Sequence, residues 1–369
     1  MQWLSLSLII VIGFLRYFPV IPHVFRGDDF TQIVNNPFVH SISSIPLFFI
    51  TSIPEKGHQH AIFSYYYKPF LFIIYSIIYW VGHGQVKVFY DIQILLACIN
   101  SFMLFIFFKK FFRPLLALFL SLLFLLHPTT RDLIMLIANL QDLLFFTFGM
   151  SALLVISSQT RKRDAIVIGL LLLLSLLTKE TAIIFFIIIL LYCFFFSKKQ
   201  LPKISLTLLI TFIIYFLLRI IGQLGYFATI KSTPFAHLPL VSRILQVPVL
   251  MSLYLTDLIA PNLLVPQHVT LPLNQFLTLS MILLVITICG VMGAFGYYLY
   301  QKKSARLKLF LFFCCWLWVG LLFHSQLLPL DAVFTRRWLY FSLAGIVGMI
   351  GILIEELLKI KYPREESNL

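Results

Sequence analysis

The chain has 369 residues, of which 60% are apolar and 11% charged, with a mean hydropathy of +0.98 and a net charge of +14. Soluble domains carry about 45–50% apolar and about 25% charged side chains, so no water-facing surface of ordinary size can be built here and the surplus apolar groups must face lipid. The basic excess sits in short segments between apolar runs, which points to membrane orientation rather than to a nucleic-acid partner.

A helix needs about 20 apolar residues to cross the hydrocarbon core. In chain order, the apolar runs predict ten spans near 3–22, 88–108, 115–130, 133–157, 165–179, 181–197, 204–221, 276–299, 309–328 and 338–358. The first has the length of a signal peptide but lacks a basic leader and a small-residue cleavage site, so it is read as a retained helix. Two further apolar helices, at 68–82 and 242–260, break the parity of the count. They are read as helices lying at or dipping into the outer interface, with twelve spans as the alternative. The five cysteines fall inside apolar runs without CxxC spacing, so neither a disulfide framework nor a metal site is expected.

Orientation follows from Lys and Arg. Lys109, Lys110 and Arg113; Arg161, Lys162 and Arg163; Lys198, Lys199 and Lys203; Lys302, Lys303, Arg306 and Lys308; and Lys359, Lys361 and Arg364 make up sixteen of the 28 basic residues. Placing these segments in the cytoplasm puts both termini inside. Asp164, Glu355, Glu356, Glu365 and Glu366 then lie on that side and are read as solvated. The chain is a single all-α polytopic domain over 1–369. Its larger extracytoplasmic segments are 23–87, 222–275 and 329–337, and the chemistry is expected there and at the adjoining helix ends.

Ionisable groups in or beside spans are costly, and each is a functional candidate. Asp28 and Asp29 follow the first helix. Such a pair can provide a general base for a hydroxyl acceptor, hold a divalent cation such as Mg or Mn, or cap a helix at 30–35. Lys68, Arg131, Lys179, Arg243, Arg336 and Arg337 form an outer basic set. A phosphate would explain it, because Arg binds phosphate oxygens bidentately and Lys as a point charge; headgroup contact or pairing, as of Lys179 with Glu180, is the plainer reading. His127 at a helix end is more readily structural than a ligand, and no HExxH or paired-His spacing calls for zinc. Asn139 and Asp142, three residues apart, either line a cavity or satisfy each other.

Five segments in order, GDDFTQIVNNPFV, YYKPFLFIIYSIIYWVGHG, LLHPTTRDLIMLIANLQDLLF, LLLSLLTKETA and FTRRWLYFSLAG, cover roughly residues 24–345. Together they make the chain resemble the GT-C class of membrane glycosyltransferases, closest to the protein O-mannosyltransferase-like branch that includes the transmembrane and tetratricopeptide-repeat proteins, though without such repeats. The resemblance implies a hexosyl- or pentosyltransferase using a polyprenyl-phosphate-linked sugar on the extracytoplasmic side, with a protein, lipid or polysaccharide acceptor. It implies Asp28 as catalytic base with Asp29 as its acidic neighbour and Lys68 near the lipid phosphate. His127, Asp142, Lys179, Glu180 and Arg337 would surround the central cavity. Leu140 stands where the family often has Arg, and Arg336 where an acidic residue is common, which leaves donor choice open. A bacterial plasma membrane is the expected location. A transporter or flippase of a lipid-linked or anionic solute is the rival reading.

Overall fold

The computed structural model describes residues 2–50, 67–158, 163–222, 238–261, 275–327, 329–330 and 332–361. Among them there is no strand. The α-helices are α1 Gln2–Tyr17, α2 Leu47–Ile50, α3 Pro69–Gly82, α4 Val86–Phe108, α5 Pro114–Leu126, α6 Pro128–Ile134, α7 Leu140–Ser157, α8 Asp164–Thr178, α9 Ile183–Phe196, α10 Leu201–Gly222, α11 Leu240–Ile259, α12 Gln275–Gln301, α13 Leu307–Phe323 and α14 Leu339–Lys361.

All ten apolar runs fold into helices, but not all are long enough to cross a bilayer. Seven described helices have the length and apolarity of a span, and an eighth follows if α5 and α6 count as one bent element. The helices α8, α9 and α13 have 15, 14 and 17 residues. At about 1.5 Å per residue each falls short of a hydrocarbon core about 30 Å thick, so the structure establishes a multi-pass all-α protein and not the number ten.

Two boundaries depart from expectation. The run 115–130 breaks at His127, where α5 and α6 meet at 51°. Pro128 has no N–H to continue the helix and its ring clashes with the preceding turn. His127 takes an extended conformation instead and its Nδ1 accepts the Thr129 N–H, capping α6. The next α-helix begins at Leu140 rather than 133, because the chain unwinds around Leu136. Buried, unwound backbone needs partners from elsewhere in the protein, and here it has them. Gln93 Nε2 donates to Leu136 O at 2.9 Å, Tyr75 OH donates to Ile137 O at 3.3 Å, and the Ala138 N–H donates to Asp29 Oδ1 at 2.7 Å. Asn139 Nδ2 closes the last carbonyls of α6, at Asp132 and Leu133.

The core is a continuous aromatic mass. Phe107, Phe185, Phe312, Phe313, Trp316 and Phe341 meet at centroid separations of 5.0 to 6.4 Å, mostly edge-on or tilted, as ring quadrupoles prefer. Between α13 and α14, Gly345 allows close approach: a Cβ there would lie 2.7 Å from Leu317 N and 2.9 Å from Phe313 O. Small residues at such crossings let membrane helices gain packing energy that lipid cannot supply.

At the basic-loop end, Glu355 and Glu356 are buried and not solvated as expected. Arg306 pairs with Glu355 and lies 3.5 Å from Glu356, while the Arg113 N–H donates to Glu355 at 3.3 Å. The cluster ties the start of α5 and the turn before α13 to the end of α14. At the other end α11 is held along its length: Arg243 Nη1 donates to Leu327 O, Tyr254 OH to His324 O, and Leu258 O accepts from His127. Its length and apolarity are those of a span, where an interfacial helix was expected.

Candidate functional site

Most of the candidate residues collect at the end that carries the 21–50 segment, the 127–139 break and α11. Gly27, with φ +47°, turns the chain into a short π-helical segment, Phe30–Val34. A helix therefore forms where capping was considered, yet neither carboxylate caps it by its side chain. Asp29 is 0% exposed, and its two oxygens accept the Arg26 N–H at 3.0 Å and the Ala138 N–H at 2.7 Å. It joins the first loop to the 127–139 break. Burial raises the Asp29 carboxyl above its ordinary value, against the opposing pull of these amides. Asp28 is exposed, and its carboxylate has no partner among the described residues. The adjacent pair thus divides into one structural and one available carboxylate. Among the described residues no group of three His, Cys, Asp or Glu is placed to hold a metal ion.

A rim of ion pairs surrounds the break. Arg336 Nε donates to both oxygens of Asp257, at 3.0 and 2.8 Å, and Arg336 Nη1 donates to Asp132 Oδ2 at 3.2 Å. One guanidinium thus fastens α6, α11 and the short 3-10 turn Arg336–Trp338 before α14. His127 Nε2 reaches Leu258 O at 3.1 Å. Since Nδ1 accepts a backbone N–H, Nε2 carries the proton and the ring is a neutral spacer. Arg131 points to the exterior with no partner among the described residues.

Deeper lies a second set. Lys179 Nζ pairs with Asp142 Oδ1, and both residues are buried. Lys179 follows the last turn of α8 in an extended conformation, which aims it across at the first turn of α7. It does not pair with Glu180. That carboxylate takes Arg219 Nη1 at 2.9 Å and the Tyr67 N–H at 3.0 Å, which carries it to the residue beside Lys68. Lys68 itself stands half-buried at the head of α3. Asn139 and Asp142 do not satisfy each other: Asn139 Oδ1 accepts from Arg337 Nη1 at 3.0 Å. Tyr75, buried with its hydroxyl on Ile137 O, is reached by the charges of Asp29, Asp142, Asp28 and Arg337 alike, so the loop acid and the deep cluster share one neighbourhood.

Three polar atoms of this deep set have no hydrogen-bond partner among the described residues: Asp142 Oδ2, Arg337 Nε and His324 Nε2. His324 and Arg219 are residues that sequence reading passed over. Arg219 closes a long apolar run and reads as a span end. His324 opens the polar triplet His324-Ser325-Gln326 at the end of an apolar helix, a signal visible in the sequence but easily absorbed into the predicted span.

Comparison with protein-family models, with curated proteins and with solved structures finds no match.

Proposed function

We propose that the protein is an inverting glycosyltransferase of the GT-C type, moving a sugar from a polyprenyl-phosphate donor to an acceptor hydroxyl on the extracytoplasmic face of a bacterial plasma membrane. In this reading α8, α9 and α13 cross with help from flanking segments, giving about ten spans, and the basic loops face the cytoplasm. One observation carries the proposal: Asp28 is an exposed carboxylate without a partner among the described residues, and its charge reaches the same buried Tyr75 as those of Asp142 and Arg337.

Asp28 removes the proton from the acceptor hydroxyl. The acceptor oxygen attacks the anomeric carbon as the bond to the phosphate oxygen breaks, and the electron pair leaves with the polyprenyl phosphate. Phosphate is a good leaving group at neutral pH, so acid assistance is dispensable. The remaining burden is positioning and the stabilisation of charge on the departing phosphate, for which the Arg337 guanidinium has an uncommitted Nε. Asp29 holds the loop that carries Asp28. No cofactor enters this step, and a divalent cation at Asp28 would be an addition to it.

The test is sugar release by purified protein from polyprenyl-phosphate-linked mannose, glucose or arabinose, with membrane extract as acceptor, for the wild type and Asp28→Asn. Turnover of one donor that the folded variant loses supports the enzyme and names the sugar class. Equal turnover by the variant removes Asp28 from the role of base. The buried Asp142–Lys179 pair is what favours the rival transporter reading; donor that crosses proteoliposomes unchanged, without sugar transfer, would establish it.

A further inference from the structure

His324 is 4% exposed and held from three directions. Its Nδ1 donates to Gly320 O at 2.8 Å, its ring stacks on Trp338 at a centroid distance of 4.9 Å, and its carbonyl accepts from Tyr254 OH at 3.1 Å. With Nδ1 protonated, the neutral ring offers a lone pair at Nε2, and that atom is buried without a partner among the described residues. Lys179 and Arg337 are charged neighbours of the ring. Lys179 also links it to Asp142, whose Oδ2 is the second buried acceptor left open. Arg337 Nε is an open donor, on the residue before the Trp338 ring that His324 stacks against.

Buried polar atoms are almost always satisfied, and leaving one unmet is costly. Two open acceptors beside an open cationic donor match a guest that brings hydroxyl hydrogens and an anionic oxygen together. A sugar phosphate has that composition. We infer that His324 Nε2 and Asp142 Oδ2 accept hydrogen bonds from hydroxyl groups of the donor sugar while Arg337 engages its phosphate. His324 is then a specificity-determining residue that distinguishes a sugar-bearing polyprenyl phosphate from the bare lipid. The inference rests on the glycosyltransferase reading.

The test measures binding of four probes to the full-length protein in detergent: polyprenyl phosphate, and polyprenyl phosphate carrying mannose, glucose or arabinose. The wild type is expected to bind one sugar-bearing lipid more tightly than the bare lipid. His324→Phe, which keeps a ring against Trp338, should lose about tenfold in affinity for that lipid and bind the bare lipid unchanged. His324→Asn, which retains a donor for Gly320 O but has no acceptor at the Nε2 position, should show the same selective loss, and it decides the matter if the Phe variant fails to fold. His324→Gln, with an oxygen in reach of that position, should recover most of the difference. Undiminished sugar-lipid binding by the Phe and Asn variants would mean that Nε2 holds an ordered water only, and would overturn the inference while leaving the enzyme intact. A wild type that binds none of the four probes would overturn the glycosyltransferase reading and this inference with it.

Discussion

Two polar regions lie a short distance apart at the same end of the bundle, and they differ in how completely they are satisfied. In the rim, Arg336, Asp257 and Asp132 engage one another across three elements, and Asp29 engages two backbone amides. None of these side chains has a buried atom without a partner. In the deep set, Asp142, Arg337 and His324 each keep one unmet buried atom although another atom of the same side chain is bonded. Saturated networks hold a fold in place. An unsaturated one in an otherwise close-packed apolar core carries a standing cost that a guest would relieve.

The comparison can be broken at either side. The largest effect is expected at the boundary between the two: Asp28→Asn should lower turnover by about 10²- to 10⁴-fold, the range of general base catalysis, with no change in melting temperature because the side chain is exposed. Arg336→Ala should act oppositely. It strands Asp257, which is 0% exposed, and breaking a buried pair by removing one partner costs about 3–5 kcal/mol. Thermal unfolding in detergent should shift down strongly, and a stable Arg336→Ala protein would show that the rim is not structural.

Arg337→Gln should fall between them. Hydrogen bonds to charged groups contribute about 1.5–3 kcal/mol, so affinity for polyprenyl phosphate should drop by roughly ten- to a hundredfold, with a much smaller change in melting temperature than Arg336→Ala. Equal destabilisation by the two arginine variants would erase the distinction drawn here.

Asp29→Asn is the smallest and the most specific probe. Its folded carboxyl titrates above the ordinary 3.8. As pH rises past 3.8 the unfolded chain releases this proton while the folded protein still holds it, so stability falls with rising pH until the folded group also ionises. The Asn variant should lack that slope and lose on the order of 1 kcal/mol from one weakened amide contact. Unfolding measured from pH 4 upward decides it.

Much of the architecture was legible in the sequence because a bilayer imposes a simple code. Every long apolar run became a helix, and the 242–260 stretch, read as interfacial, forms one with the length and apolarity of a span. The breaks at His127 and Leu136 were less legible. Pro128 announces the first, but the unwinding at 136 depends on Gln93, Tyr75 and Asp29, which come from three distant parts of the chain. Pairing was the least legible property. Lys179 next to Glu180 invites a local pair, yet the extended backbone at Lys179 sends its side chain to Asp142 and leaves Glu180 to Arg219.

Sequence alone determined that this is a multi-pass helical membrane protein, because no other state can accommodate its apolar surplus, and it singled out most of the ionisable residues that gather at one end. Only the tertiary structure decided that Asp29 is buried while Asp28 is not, that Arg336 is spent on Asp257 and Asp132 while Arg337 is not, and that His324 is buried with an open Nε2. Which charge is neutralised and which left open depends on neighbours from 37 to 204 residues away, and short-range pattern holds no record of them.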